Sequence, residues 1–249
     1  MDRDFECECW NEILSTEWID GFSPLQLAAK KGRVDMVEVL LQAGASVDGI
    51  GAANIYSTLD HTIFELYQNL TDDHYQWEST LSFAVEGGLE MVKIILDTGI
   101  DANEPPHELE GRTALQKAAQ VGDMAIVEYL LDKQADVNAA PAEWRGVTAL
   151  QAAAINSHFD IAYRLLERGA DPNAPGAEEE RRTALEGAAE MGRIDMIHLL
   201  LDNGADISSA DFGVVQFENS VELAQCDGFY AAARMLKRYR ERLDTELGP

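Results

Sequence analysis

Basic residues are scarce in this 249-residue chain: 19 lysines and arginines stand against 45 aspartates and glutamates, for a formal net charge of −26. A field of that sign repels nucleic acid and anionic membrane surfaces and attracts basic partners. The same charge also reads as plain solubility for an apolar-rich repeat surface. Cysteine is nearly missing. Cys7, Cys9 and Cys226 are few and odd in number, so no secreted disulfide framework is expected. No apolar run of about 18 residues occurs, so no transmembrane helix is expected. The opening Met1-Asp-Arg-Asp-Phe-Glu shows none of the apolar character of a signal peptide. These absences lead to the expectation of a cytoplasmic or nuclear protein with no membrane contact. Hydrophobic residues, at 46 %, are plentiful enough to fill a core.

Catalytic chemistry is equally thin. The five histidines are His61, His74, His107, His158 and His198, and none is paired at metal-ligand spacing. Cys7-Glu-Cys9 is too short to make a zinc site alone. Gly49-Ile-Gly51 is half of a dinucleotide fingerprint without its third glycine or a preceding strand. Glu178-Glu-Glu180 reads as a solvated loop tip, because calcium needs more oxygen ligands around it. No cofactor, metal site or catalytic residue is assigned. The loosest enzymatic arrangement would set His61 or His74 against Asp72 or Glu186, giving a small-molecule enzyme with its site in a groove or under an insertion.

What the chain does have is repetition. Five segments align: Ser23-Pro-Leu-Gln-Leu-Ala-Ala, Ser79-Thr-Leu-Ser-Phe-Ala-Val, Thr113-Ala-Leu-Gln-Lys-Ala-Ala, Thr148-Ala-Leu-Gln-Ala-Ala-Ala and Thr183-Ala-Leu-Glu-Gly-Ala-Ala. A weaker sixth begins at Asn219. After the first interval the starts recur roughly every 35 residues, a helical-repeat period. In each unit a Ser or Thr is placed to cap a short helix. Alanines then permit close helix approach, and Gly32, Gly88, Gly122, Gly192 or Gly228 ends the helix, with Ser157 standing in the fourth unit. A second helix follows with apolar residues three and four apart, such as Ile126, Val127, Leu130 and Leu131, or Ile194, Ile197, Leu200 and Leu201. It closes on Gly-Ala or Gly-x-Asp, except at Gln134, where a non-glycine residue in a left-handed cap predicts a cost of roughly 1 kcal/mol.

Thr-x-Leu-x-x-Ala-Ala, then Gly, then an apolar helix and Gly-Ala-Asp-x-Asn resembles the ankyrin-repeat signature, completed by Asp101-Ala-Asn103, Asp136-Val-Asn138 and Asp171-Pro-Asn173. The Thr-Ala-Leu-Gln-x-Ala-Ala form looks like the arrays common in fungal ankyrin proteins. The resemblance covers about residues 21–240. One departure is that the family's His after the first Leu is Gln26, Ser82, Gln116, Gln151, Glu186 and Glu222 here. The resemblance implies an all-α solenoid of about six helix-turn-helix repeats with short β-hairpin fingers. The expected layout is an N-terminal helical cap over 1–20 and a first repeat over 21–48. An insertion with a short helix follows over 49–76. Repeats occupy 77–110, 111–145, 146–180 and 181–216, and a capping repeat fills 217–249, all as one continuous domain.

The resemblance also implies a protein-binding monomer, touching its partner with the first helices, which form a palm, and with the fingers. Matched by position, the candidate contacts are Phe22, Lys30, Lys31, Trp77, Arg112, Val121, Trp144, Arg145, Ile155, Arg182 and Met191. Val121, Ile155 and Trp144, with Val147, make an apolar group where none is required, and Trp and Arg are common binding anchors. One basic face stands apart from the acidic whole. Arg234, Lys237, Arg238, Arg240 and Arg242 crowd the last predicted helix. They read as favourable charge near a helix C-terminus, as a solvated face, or as a separate anionic contact site.

Overall fold

The structure, a computed structural model, describes residues 23–47, 79–105, 111–143, 146–177 and 182–247. The expected cap over 1–20, the expected helix within 49–76 and the finger residues 106–110, 144–145 and 178–181 lie outside these. Twelve helices in six pairs, and no strand, are found among the described residues. They are α1 (Pro24–Lys30), α2 (Val34–Gln42), α3 (Thr80–Gly87), α4 (Leu89–Asp97), α5 (Ala114–Val121), α6 (Met124–Asp132), α7 (Ala149–Asn156), α8 (Phe159–Glu167), α9 (Ala184–Glu190), α10 (Ile194–Asp202), α11 (Phe212–Cys226) and α12 (Tyr230–Leu247).

The start of each first helix is held by the side chains that the repeat pattern nominates. Ser23, Ser79, Thr148 and Thr183 accept a hydrogen bond from the backbone N–H three residues on, each at 3.2 Å. Gln26, Gln151 and Glu186 reach back to accept the N–H of the capping residue, closing a reciprocal pair. The glutamine in place of the family's histidine has a further role. Nε2 of Gln151 donates to the carbonyls of Ala174 and Pro175, at 2.9 and 3.1 Å. Nε2 of Gln116 does the same to Ala139 and Ala140. One amide therefore joins a helix start to the finger that follows its repeat.

The second helices bury their third, fourth and seventh positions: Met36, Val37 and Leu40; Met91, Val92 and Ile95; Ile126, Val127 and Leu130; Ile161, Ala162 and Leu165; Met196, Ile197 and Leu200. The expected stripe is right in phase and one turn too generous, since Ile194, at the first helical position, is 39 % exposed. Small residues let first helices touch. Ala28, Ala29, Ala118, Ala119, Ala153, Ala154, Ala188 and Ala189 are all fully buried, and a Cβ at Gly87 would collide with the Ala29 carbonyl.

The described residues gather into two compact units, dividing between Ala114 and Leu115. In the first unit α1 packs on α2 and α3, and α3 on α4. In the second, α7, α9 and α11 form one row, and α6, α8, α10 and α12 form a second row behind it. Neighbouring repeats in that unit are also bridged on the outside: Arg164 Nε lies 2.7 Å from Glu128 Oε1, and Arg168 lies 3.1 Å from Asp132. Such half-exposed pairs contribute little alone.

In their described parts the fingers are turns instead of the expected β-hairpins. Asp101, Asp136 and Asp171 each accept the backbone N–H two residues on, a local bond that competes with a strand ladder. Consecutive fingers are joined by asparagine. Asn138 donates to the Gly169 carbonyl and accepts the Asp171 N–H, at 2.9 and 2.8 Å. Asn173 repeats both bonds with Gly204 and Asp206. The last unit differs. Its first helix, α11, is 15 residues long and starts at Phe212, seven residues before the expected start near Asn219, so no full finger separates it from the fifth repeat.

Asp206 anchors that shortened connection. The Ser209 hydroxyl, then the Ser208 and Ser209 amides, hold its carboxyl down to about 2 from 3.8. A depressed folded-state value makes the contribution present above the unfolded value and lost as the acid form takes over. The charge-dependent part of the stability difference between wild type and Asp206→Ala should therefore be full above about pH 4 and mostly gone as pH falls to about 2. Urea midpoints measured across that range check it.

Among the described residues, two helix ends carry a left-handed residue other than glycine, Gln134 at φ 64° and Ser157 at φ 66°, the two positions singled out by the repeat pattern. Ser157 also has a buried hydroxyl with no hydrogen-bond partner. Gln134→Gly and Ser157→Gly should each stabilise the protein by about 0.5–1 kcal/mol, read as a rise in urea midpoint with unchanged slope.

Candidate partner-binding surface

The residues that follow the buried Ala-Ala pair in each first helix stand where the helix emerges from the core. In the second unit this places Val121, 51 % exposed, at the end of α5, and Met191, 39 % exposed, just after α9. They hold the same position two repeats apart, each directly before the left-handed glycine that reverses the chain. Between them, at that position, Asn156 turns its amide back to the Ala152 carbonyl at 2.9 Å. Exposure to that degree means that neither Val121 nor Met191 is needed to fill the core.

Not all the nominated residues are equally free. Ile155 is half-buried, and its Cγ1 occupies the space a Cβ would take at Gly187 of the next repeat. It is a wedge between α7 and α9 more than a contact residue. Arg182 is engaged: its Nε and Nη2 bond both oxygens of Glu190 at 3.0 and 3.2 Å. That bidentate clamp fixes the Glu190 carboxylate beside Met191. His158 bonds the Gln120 carbonyl at 3.1 Å and lies over Gly122, a scaffold role. In the first unit Lys30 lies over the Phe83 ring, 5.3 Å from its centre, while Lys31 is exposed. Arg112 is half-buried. Phe22, Trp77, Trp144 and Arg145 lie outside the described residues.

The early start of α11 adds residues that the repeat pattern misses. Phe212, Val215, Glu218 and Glu222 share one exposed helical face, and Val215 is 53 % exposed. A finger expected over these positions hid their helical spacing. The face belongs to the same row as α9, to which Asn219 is joined by a 2.8 Å bond to Glu186. The second unit thus exposes apolar side chains at Val121, Met191, Phe212 and Val215, with the paired Glu190 next to Met191 and with Glu218 and Glu222 on the face of Phe212 and Val215.

The enzymatic arrangement finds no support at its one described member. Glu186 is 4 % exposed and is occupied as a helix cap, accepting from Thr183 and Asn219. His61, His74 and Asp72 lie outside the described residues. Among the described residues, no group of three or more His, Cys, Asp or Glu side chains is placed to hold a metal, and no helix is long and apolar enough to cross a membrane.

Comparison with protein families matches the model for ankyrin repeats in three copies to residues 50–141, 81–176 and 139–211. The model for a single ankyrin repeat matches residues 20–51. No curated protein gives a significant match.

The division of the nominated residues into surface and scaffold can be measured. Val121→Asp should leave unfolding free energy within about 0.5 kcal/mol of wild type, whereas Ile155→Asp should lower it by about 1–3 kcal/mol. Equal effects in urea unfolding would show that the two side chains share one environment.

Proposed function

The chain belongs to the ankyrin-repeat family, and we propose that it binds a protein partner through the row of first helices in its second unit. Ankyrin repeats are generally protein-interaction modules. The observation that carries the proposal is the pair Val121 and Met191, apolar and exposed at equivalent positions where the fold does not require it. Phe212 and Val215 extend the apolar character along α11, where Glu218 and Glu222 on the same exposed face add negative charge, while the charge of Glu190 is offset by Arg182. A partner that fits has a small apolar patch ringed by lysine or arginine. The net charge of −26 supports the same reading, because it draws a basic surface in from a distance. Trp144 and Arg145, which the repeat pattern sets in the finger between repeats three and four, are candidates for the rim.

The test compares wild type with Val121→Asp/Met191→Asp by cross-linking and mass spectrometry in cell extract, followed by titration of the captured partner. The double variant should lose tenfold or more in affinity with its thermal melt unchanged, in line with about 1.4 kcal/mol per tenfold. Association should also slow sharply as salt rises, since charges are screened beyond roughly 8 Å at physiological ionic strength. An on-rate that stays flat with salt would assign the acidity to solubility.

A further inference from the structure

The last helix carries a second, chemically opposite surface. α12 is 18 residues long and packs on α10 and α11. Its inward side is Ala232, Ala233 and Leu236, all buried, continued by the half-buried Tyr239, Arg240 and Leu243. Arg240 belongs to that side: it bonds the Ile207 carbonyl, lies over the Phe217 ring and pairs with Asp244. The opposite side is a shallow groove lined by Ala231, Arg234, Met235, Arg238, Glu241, Arg242 and Thr245. Three arginines spaced four apart therefore form one line, about 12 Å long at 1.5 Å per residue, beside the half-buried Met235.

This concentration is unusual for the chain. Five of its 19 lysines and arginines fall between Arg234 and Arg242. Arg234, Lys237 and Arg238 are exposed, and none takes an ion pair among the described residues, although carboxylates outnumber basic groups in the chain more than twofold. An exposed helix face needs solubility, which the acidic residues used elsewhere would supply equally well.

We propose that this face of α12 binds an acidic amphipathic helix of a partner protein, at a site separate from the first-helix row and independent of what binds there. Carboxylates four residues apart on such a helix match the Arg234, Arg238 and Arg242 spacing, and an apolar side chain beside them covers Met235 and Ala231. Guanidinium groups take carboxylates in bidentate pairs. Duplex nucleic acid fits less well: it would extend past a 12 Å stripe into the acidic remainder, and Glu241 stands in the groove. A second copy packed α12 to α12 would set the two arginine lines against each other.

The test uses the full chain and a fluorescein-labelled 16-residue helical peptide with Glu at every fourth position and Leu beside each. The control is the same peptide with Gln for Glu. The Glu peptide should bind saturably, the Gln peptide at least tenfold more weakly, and binding should weaken with salt. Arg234→Glu/Arg238→Glu should lose at least tenfold with an unchanged thermal melt, and Arg234→Gln/Arg238→Gln serves if the first variant does not fold. Val121→Asp/Met191→Asp should bind the peptide as wild type does, which separates this site from the other. Absence of saturable binding, equal binding of the Gln peptide, or binding that survives both arginine variants overturns the proposal. So does tighter binding of a 16-base-pair duplex, or sedimentation showing that the arginine line instead joins copies of the chain.

Discussion

A helix of seven to nine residues does not hold itself together in water, and ten of the twelve described helices are that short. Each depends on having its ends bonded and one face covered by a neighbour. The cap residues Ser23, Ser79, Thr148 and Thr183 satisfy the ends, and the recurring buried triplet of the second helix supplies the face. The left-handed residue after each helix then returns the chain tightly enough for the pair to meet. Because the need is the same in every repeat, the solution recurs with little change. It also explains the exchange of histidine for glutamine: a longer amide completes the cap and still reaches two finger carbonyls.

That dependence on neighbours leaves particular atoms for function. Side chains that face a neighbouring repeat are committed to the core, as Ile155 is against Gly187 and His158 is over Gly122. Residues at the emerging ends of first helices are not, and there Val121 and Met191 remain exposed. The Arg182–Glu190 clamp shows a further consequence. A charged pair that closes within one repeat removes the arginine from the list of available cations and holds a carboxylate in one place. The surface proposed for binding is apolar, with the exposed Glu218 and Glu222 on its α11 face.

Charge is distributed in the same spirit. An acidic surface suits an array with many apolar residues, and it also determines what approaches from a distance. The outer side of α12 breaks the pattern with three aligned arginines. The two proposed surfaces are opposite in chemistry, so the partners proposed for them, one basic and one acidic, would not compete.

Much of this was legible in the chain itself. The Thr-x-Leu-x-x-Ala-Ala starts, the glycine positions and the phase of the second-helix stripe follow from spacing, because caps, left-handed turns and a 3.6-residue period are local requirements. Gln134 and Ser157 could be named as the two non-glycine residues in left-handed turns for the same reason. The surface proposed for binding was legible only in part. Val121 and Met191 are indicated by register, but Ile155 at the neighbouring position looks identical in sequence and is scaffold, because only packing brings Gly187 under it. Arg182 reads as a free cation until Glu190, eight residues on, is brought beside it. The early start of α11 escaped too: Gln216 donates to the Asp206 carbonyl across the connection, a bond between segments that spacing does not reveal. Local bonds repeat with the sequence and can be read from it, whereas which side chain a neighbouring repeat covers is decided when the repeats stack.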